Sequence, residues 1–251
     1  MDGILRTTWL MTTLALVAVG CSPGEDRTGQ MGSDTLTTDR AAATQAGARV
    51  SLQQVRSDVD SITSELGSEL ETMRGQVRDD RVDRWTQLTS DVEETRVEMM
   101  DDLRQVDSND RDDIQRIRDR SSERLAEIEG DVARIEIEFT RDAETLQQRV
   151  DQHVERLQTD VGYLQDQLRQ HQANDRDDDG WFDFSTRIDE DDLADWQEEL
   201  AGIRSELRER TAERDDRDDI ASDLGERVAD LTRDIREHVH AVRWGARDRI
   251  T

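Results

Sequence analysis

The chain has no lysine, one cysteine and one proline in 251 residues, and only 4% of it is aromatic. A single cysteine, Cys21, cannot close a disulfide within the chain or supply the paired thiolates of a cysteine-based zinc site. With so few aromatics and 33% hydrophobic residues, large apolar side chains are too scarce for a thick globular core. There is no glycine-rich phosphate loop and no nucleophile elbow. His153 and His171 are isolated, and His238 and His240 are two apart, which on a helix sends them to different faces. These absences predict that the protein is not an enzyme.

What is present is charge. All 34 basic residues are arginine, against 61 acidic ones, for a net charge of −27. A surface this negative repels phosphate backbones, so no nucleic-acid partner is expected. Low hydrophobicity with high net charge on its own suggests disorder. The apolar residues, however, recur at helical spacing over most of the chain, which predicts an all-α fold of long coiled-coil helices sharing a thin seam.

Three apolar tracts follow steps of three and four. The first, over 49–106, carries Leu52, Val55, Val59, Ile62, Leu66, Leu70, Met73 and Val77, then Val82, Trp85, Leu88, Val92, Met99, Leu103 and Val106. The second, over 110–171, runs from Ile114 and Ile117 through Leu125, Ile128, Val132, Ile135 and Phe139 to Leu164 and Leu168. The third, over 189–249, runs from Leu193 and Trp196 to Val239 and Val242. Each has a polar waist near its middle, at Arg78–Arg81, Thr140–Thr145 and Arg208–Asp219. Two arrangements satisfy this pattern. One is an antiparallel three-helix bundle. In the other, the patch 107–113 does not turn, giving an extended rod with the third helix folded back. Both contain a helical hairpin at 172–188. Gly67 and Gly75 read as tolerated defects within a helix.

The N-terminal region differs. Trp9–Gly20 is an apolar run of about a dozen residues, too short to span a bilayer as a helix but matched to the middle of a secretory signal. Val17-Ala18-Val19-Gly20-Cys21 resembles the lipobox of bacterial lipoproteins. That resemblance implies a signal peptide over 1–20, cleavage before Cys21, and a diacylglycerol on its sulfur. The stretch 21–48, rich in Thr, Gly, Asp and Ser, is expected to be a flexible linker from the lipid to a helical domain over 49–251. The implied location is the bacterial cell envelope, on the periplasmic side or at the outer membrane of a Gram-negative cell. The implied partners are the membrane through the lipid, with a second copy or an envelope protein alongside.

The hairpin loop holds the most suggestive local chemistry. Asp175, Asp177 and Asp179 alternate, and Gly180 follows. The pattern resembles the first half of an EF-hand calcium loop, where side-chain oxygens converge and a glycine permits the sharp turn. On that register Asp183 takes the position often served through water. The twelfth position is Thr186, where the motif has a bidentate Glu; only a longer loop would let Asp189, Glu190 or Asp191 substitute. The resemblance names calcium as the one candidate cofactor. Trp181, Phe182 and Phe184, in the same loop, either plug the end of the bundle or form a docking tip. The function expected is therefore a lipid-anchored spacer, tether or interaction scaffold, with a calcium-dependent binding module as the alternative.

Overall fold

A computed structural model describes residues 33–77, 81–106, 111–140, 143–174, 188–213 and 216–246. Those residues form six α-helices and no strand. They are α1 (Ser33–Met73, extended by a 3-10 turn at Arg74–Gln76), α2 (Val82–Gln105), α3 (Arg111–Glu138), α4 (Ala143–Asn174), α5 (Glu190–Glu213) and α6 (Arg217–Ala246). The all-α bundle with helical hairpins is as the periodicity predicts.

The helix count is not three. Each apolar tract folds back on itself at its polar waist, so three tracts become three hairpins. A stretch without apolar side chains interrupts the seam, and folding there lets both halves bury their stripes against each other. The breaks have local causes. Val77 leaves the 3-10 turn in an extended conformation, with ψ at 129°. Val106 is likewise extended beyond α2, with ψ at 127°, which rules out one helix running unbroken through the 107–113 patch. Thr140 ends the α3 segment by donating both its N–H and its hydroxyl to the Ile137 carbonyl. Asp216 accepts the Asp218 N–H at 2.9 Å and opens α6, with Asp218 and Asp219 in its first turn, where the helix dipole favours acids.

At the other end of the chain α1 is longer than expected. It begins at Ser33, inside the stretch read as a flexible linker. Arg56 of α1 donates to the carbonyl of Leu103, close to the end of α2. Residues 33–51 therefore continue past the level at which α2 ends.

Consecutive helices run antiparallel and group into two three-helix units. In α1–α3, Leu66, Leu70, Trp85, Val92, Val132 and Phe139 form one buried cluster. Val55, Val59, Met99, Leu103 and Leu125 form a second, completed by Trp244 from the end of α6. In α4–α6, one continuous seam includes Val154, Leu157, Leu164, Leu200, Ile203, Leu224, Val228 and Ile235, joined by Ala133 and Ile137 of α3.

The two units meet along α3 and α6. Here the faces are built from small side chains in steps of four, Ser122, Ala126 and Gly130 on α3, and Ala221, Gly225 and Ala229 on α6. A Cβ added at Gly130 would lie 2.8 Å from the Ala229 carbonyl and 2.7 Å from Arg233 Cγ. A Cβ added at Gly225 would lie 3.3 Å from the Arg134 carbonyl and 3.4 Å from Glu138 Cγ. Glycine is thus a requirement of close approach at Gly130. The contacts are reciprocal. Gly130 and Gly225, Arg134 and Ala229, and Glu138 and Arg233 are each separated by the same number of residues, so the antiparallel seam is nearly two-fold symmetric. Val55, Val59, Ile62, Leu66 and Gly67 of α1 match Val150, Val154, Leu157, Val161 and Gly162 of α4 at that same separation.

Candidate functional site: a charged cleft between the two units

Where α1 and α4 flank the α3–α6 seam, the units part to leave a cleft of about 370 Å³. Its lining is half apolar, with Leu66, Val132 and Leu157, and half ionic, with Glu65, Glu69, Glu129, Arg156, Arg236 and Arg243. Charged side chains that are fully buried beside a core are costly unless paired, and the most buried ones here are paired.

The pairing crosses four helices. His240 of α6, fully buried, places Nε2 2.8 Å from Glu129 of α3. Its ring stacks on Trp244 with centroids 5.5 Å apart, and Trp244 Nε1 donates to Asp58 of α1 at 3.0 Å. Among the described residues His240 Nδ1 has no hydrogen-bond partner. Arg236 stands between two acids. Glu129 is 3.8 Å away, and Asp160 of α4 is 3.1 Å from Arg236 Nε, not aligned for a hydrogen bond. A second buried pair joins α3 to α4, with His153 Nε2 2.9 Å from Glu136 and Arg149 at 3.7 Å. A third buried acid, Glu138, bonds Arg84 of α2 and, at 2.7 Å, Arg134 of its own helix.

These surroundings drive the carboxyls in opposite directions. Burial alone would raise Glu129, but the charge and hydrogen bond of His240, with Arg236 and Arg243, bring it below its ordinary value. Glu136 follows the same course, its burial outweighed by His153, Arg149 and Arg156. Asp160 is raised, because its burial and the nearby Glu129 outweigh Arg236, His240 and Arg243. Glu69 is raised by burial, then by Glu136 and Glu65, against Arg156 at 3.4 Å. Thr232 is the hydroxyl residue of the lining, and it donates to the Val228 carbonyl at 2.7 Å.

Sequence reasoning did not find this cleft. In the sequence His153 and His171 are isolated and His238 and His240 point to different helix faces, whereas in the fold His153 and His240 each meet a glutamate of α3. The only advance signal was a histidine within an otherwise apolar helical row, beside Val154 and beside Val239.

Cys21, Asp175, Asp177, Asp179, Asp183, Trp181, Phe182 and Phe184 all fall outside the described residues. The loop's edge is described, and it bears on the proposed ligands. Asp189 Oδ1 accepts the Asp192 N–H at 2.9 Å, and Asp192 Oδ2 accepts the Asp189 N–H at 3.0 Å. This reciprocal cap engages Asp189 at the start of α5. Among the described residues no three of His, Cys, Asp or Glu converge to hold a metal ion, and no helix is long and apolar enough to cross a membrane. No family model, curated protein or solved structure matches the chain.

Proposed function

We propose that this protein is a lipid-anchored scaffold of the bacterial cell envelope, attached through Cys21 and presenting a rigid acidic bundle as a spacer or tether. The apolar run that ends at Cys21 carries the reading. Helix α1 supports it. It starts soon after that cysteine and continues unbroken into the bundle, with 33–51 extending beyond the end of α2. At 1.5 Å per residue, that extension would hold the bundle roughly 30 Å from the anchored end. The buried ion pairs support it too, since they tie α3, α4 and α6 to one another, while the Trp244–Asp58 hydrogen bond holds α1 to α6. The test is intact mass spectrometry of native protein with membrane fractionation. The expected mature N-terminus is a diacylated Cys21, and Cys21→Ser should shift the protein to the soluble fraction or leave it unprocessed. An unmodified Cys21 in the native protein would overturn the assignment.

A second reading, calcium-dependent recognition, rests on Asp175, Asp177, Asp179 and Gly180 standing between antiparallel α4 and α5. Its test replaces Asp177 and Asp179 by Asn. A calcium response in Trp181 fluorescence, followed with Trp85, Trp196 and Trp244 changed to Phe, should disappear. If it persists unchanged, the ion binds diffusely and the reading fails.

A further inference from the structure

We propose that the cleft between α1, α3, α4 and α6 binds a small zwitterion with an apolar side chain, of amino-acid or dipeptide size. Its volume of about 370 Å³ falls in the range of small-molecule pockets, roughly 300–1,000 Å³. Two of its charged side chains are uncommitted. Arg243 has no carboxylate within hydrogen-bonding or ion-pairing distance among the described residues, and it acts on Glu129 and Asp160 only from farther away. Its guanidinium fork matches a carboxylate in two-point geometry. Glu65 is exposed at the rim contributed by α1 and likewise has no ion-pair partner among the described residues.

The charge of the whole chain decides between ligand classes. A net charge of −27 repels a net anion before it reaches Arg243. A ligand that delivers a carboxylate there must therefore carry its own cation. Glu65 and Glu69 supply the complement for an ammonium group. Glu69 is crowded by burial and by the like charges of Glu136 and Glu65, and an ammonium beside it would relieve that crowding. Leu66, Val132 and Leu157 offer apolar surface to the ligand's side chain. Binding in this cleft does not require the lipid on Cys21, nor does the lipid require binding.

Isothermal titration calorimetry on the full chain tests the proposal, using L-leucine and glycyl-leucine as zwitterions. N-acetyl-leucine lacks the ammonium group and leucinamide lacks the carboxylate. Saturable binding is expected for at least one zwitterion, weakened at least about tenfold for both blocked compounds and for both Arg243→Gln and Glu65→Gln. Glu65 is exposed and Arg243 half-buried, and unchanged circular dichroism would show the variants folded. The proposal is overturned if neither zwitterion binds saturably, or if a blocked compound binds as tightly as its parent. It is equally overturned if either variant retains full affinity.

Discussion

Replacing Gly130 with alanine sets two forces of known size against each other. In a helix interior alanine is favoured over glycine by about 1 kcal/mol. At Gly67 and Gly162 nothing lies within 4 Å of the added Cβ, so that gain should appear almost in full. At Gly130 the same methyl would sit 2.8 Å from the Ala229 carbonyl, which belongs to the backbone of α6. The Arg233 side chain can swing away, but the carbonyl moves only if α3 and α6 separate. Overpacking of this kind costs about 1–3 kcal/mol. Gly130→Ala should therefore fall below Gly67→Ala by about that amount. At roughly 2–4 °C per kcal/mol for a chain of this size, the two melting temperatures should differ by several degrees. Gly225→Ala should lie between them, its Cβ 3.3 Å from the Arg134 carbonyl. Thermal melts followed by far-ultraviolet circular dichroism give the order directly. If Gly130→Ala melts with Gly67→Ala, the close approach of α3 and α6 is wrong.

The two acids flanking Arg236 should answer pH with opposite signs. Glu129 has a lowered folded pKa, so its contribution is present above the ordinary value of 4.5 and fades as pH falls below it. Glu129→Gln should therefore lose stability at pH 7 and converge on the parent in acid. Asp160 has a raised folded pKa, so the parent loses stability as pH rises from 3.8 through the folded value. Relative to the parent, Asp160→Asn should thus do better at pH 7 than in acid, and denaturant melts at several pH values that show parallel curves would refute both assignments. Glu138→Gln leaves Arg84 and Arg134 without their buried acid and should cost up to about 3 kcal/mol in urea unfolding, since both arginines retain some access to water; a loss under about 0.5 kcal/mol would count against a structural role for that acid. Asp189→Ala removes one half of the reciprocal cap and should cost about 1 kcal/mol, read as faster amide exchange in the first turn of α5.

The seams were legible because an apolar side chain every three or four residues has few other uses in so acidic a chain. Leu70, Leu103, Leu164 and Leu200, all predicted seam residues, are fully buried. Val82 belongs to the same row yet is 40% exposed, because the row is cut just before it and α2 begins there. The polar waists were seen but not read as turns, since a run of charged residues is equally at home on an unbroken helix. The α3–α6 seam was missed for a different reason. Ala126, Gly130, Gly225 and Ala229 carry almost no hydrophobic signal, and their smallness matters only once another backbone comes close. The cleft was illegible because it depends on side chains over a hundred residues apart, as with His240 and Glu129.

The position of Trp244 has a consequence for the order in which the chain can fold. It stands 186 residues after Asp58, to which it donates its indole hydrogen bond, and it completes a buried cluster whose other members all belong to α1, α2 and α3. That core stays open at one end until α6 has left the ribosome. Contacts so distant in sequence form late, because a long loop must close before they repay its entropy. Helices α1, α2 and α3 are thus finished by α6, and a chain interrupted before α6 would retain an unfilled core where one that includes α6 is sealed.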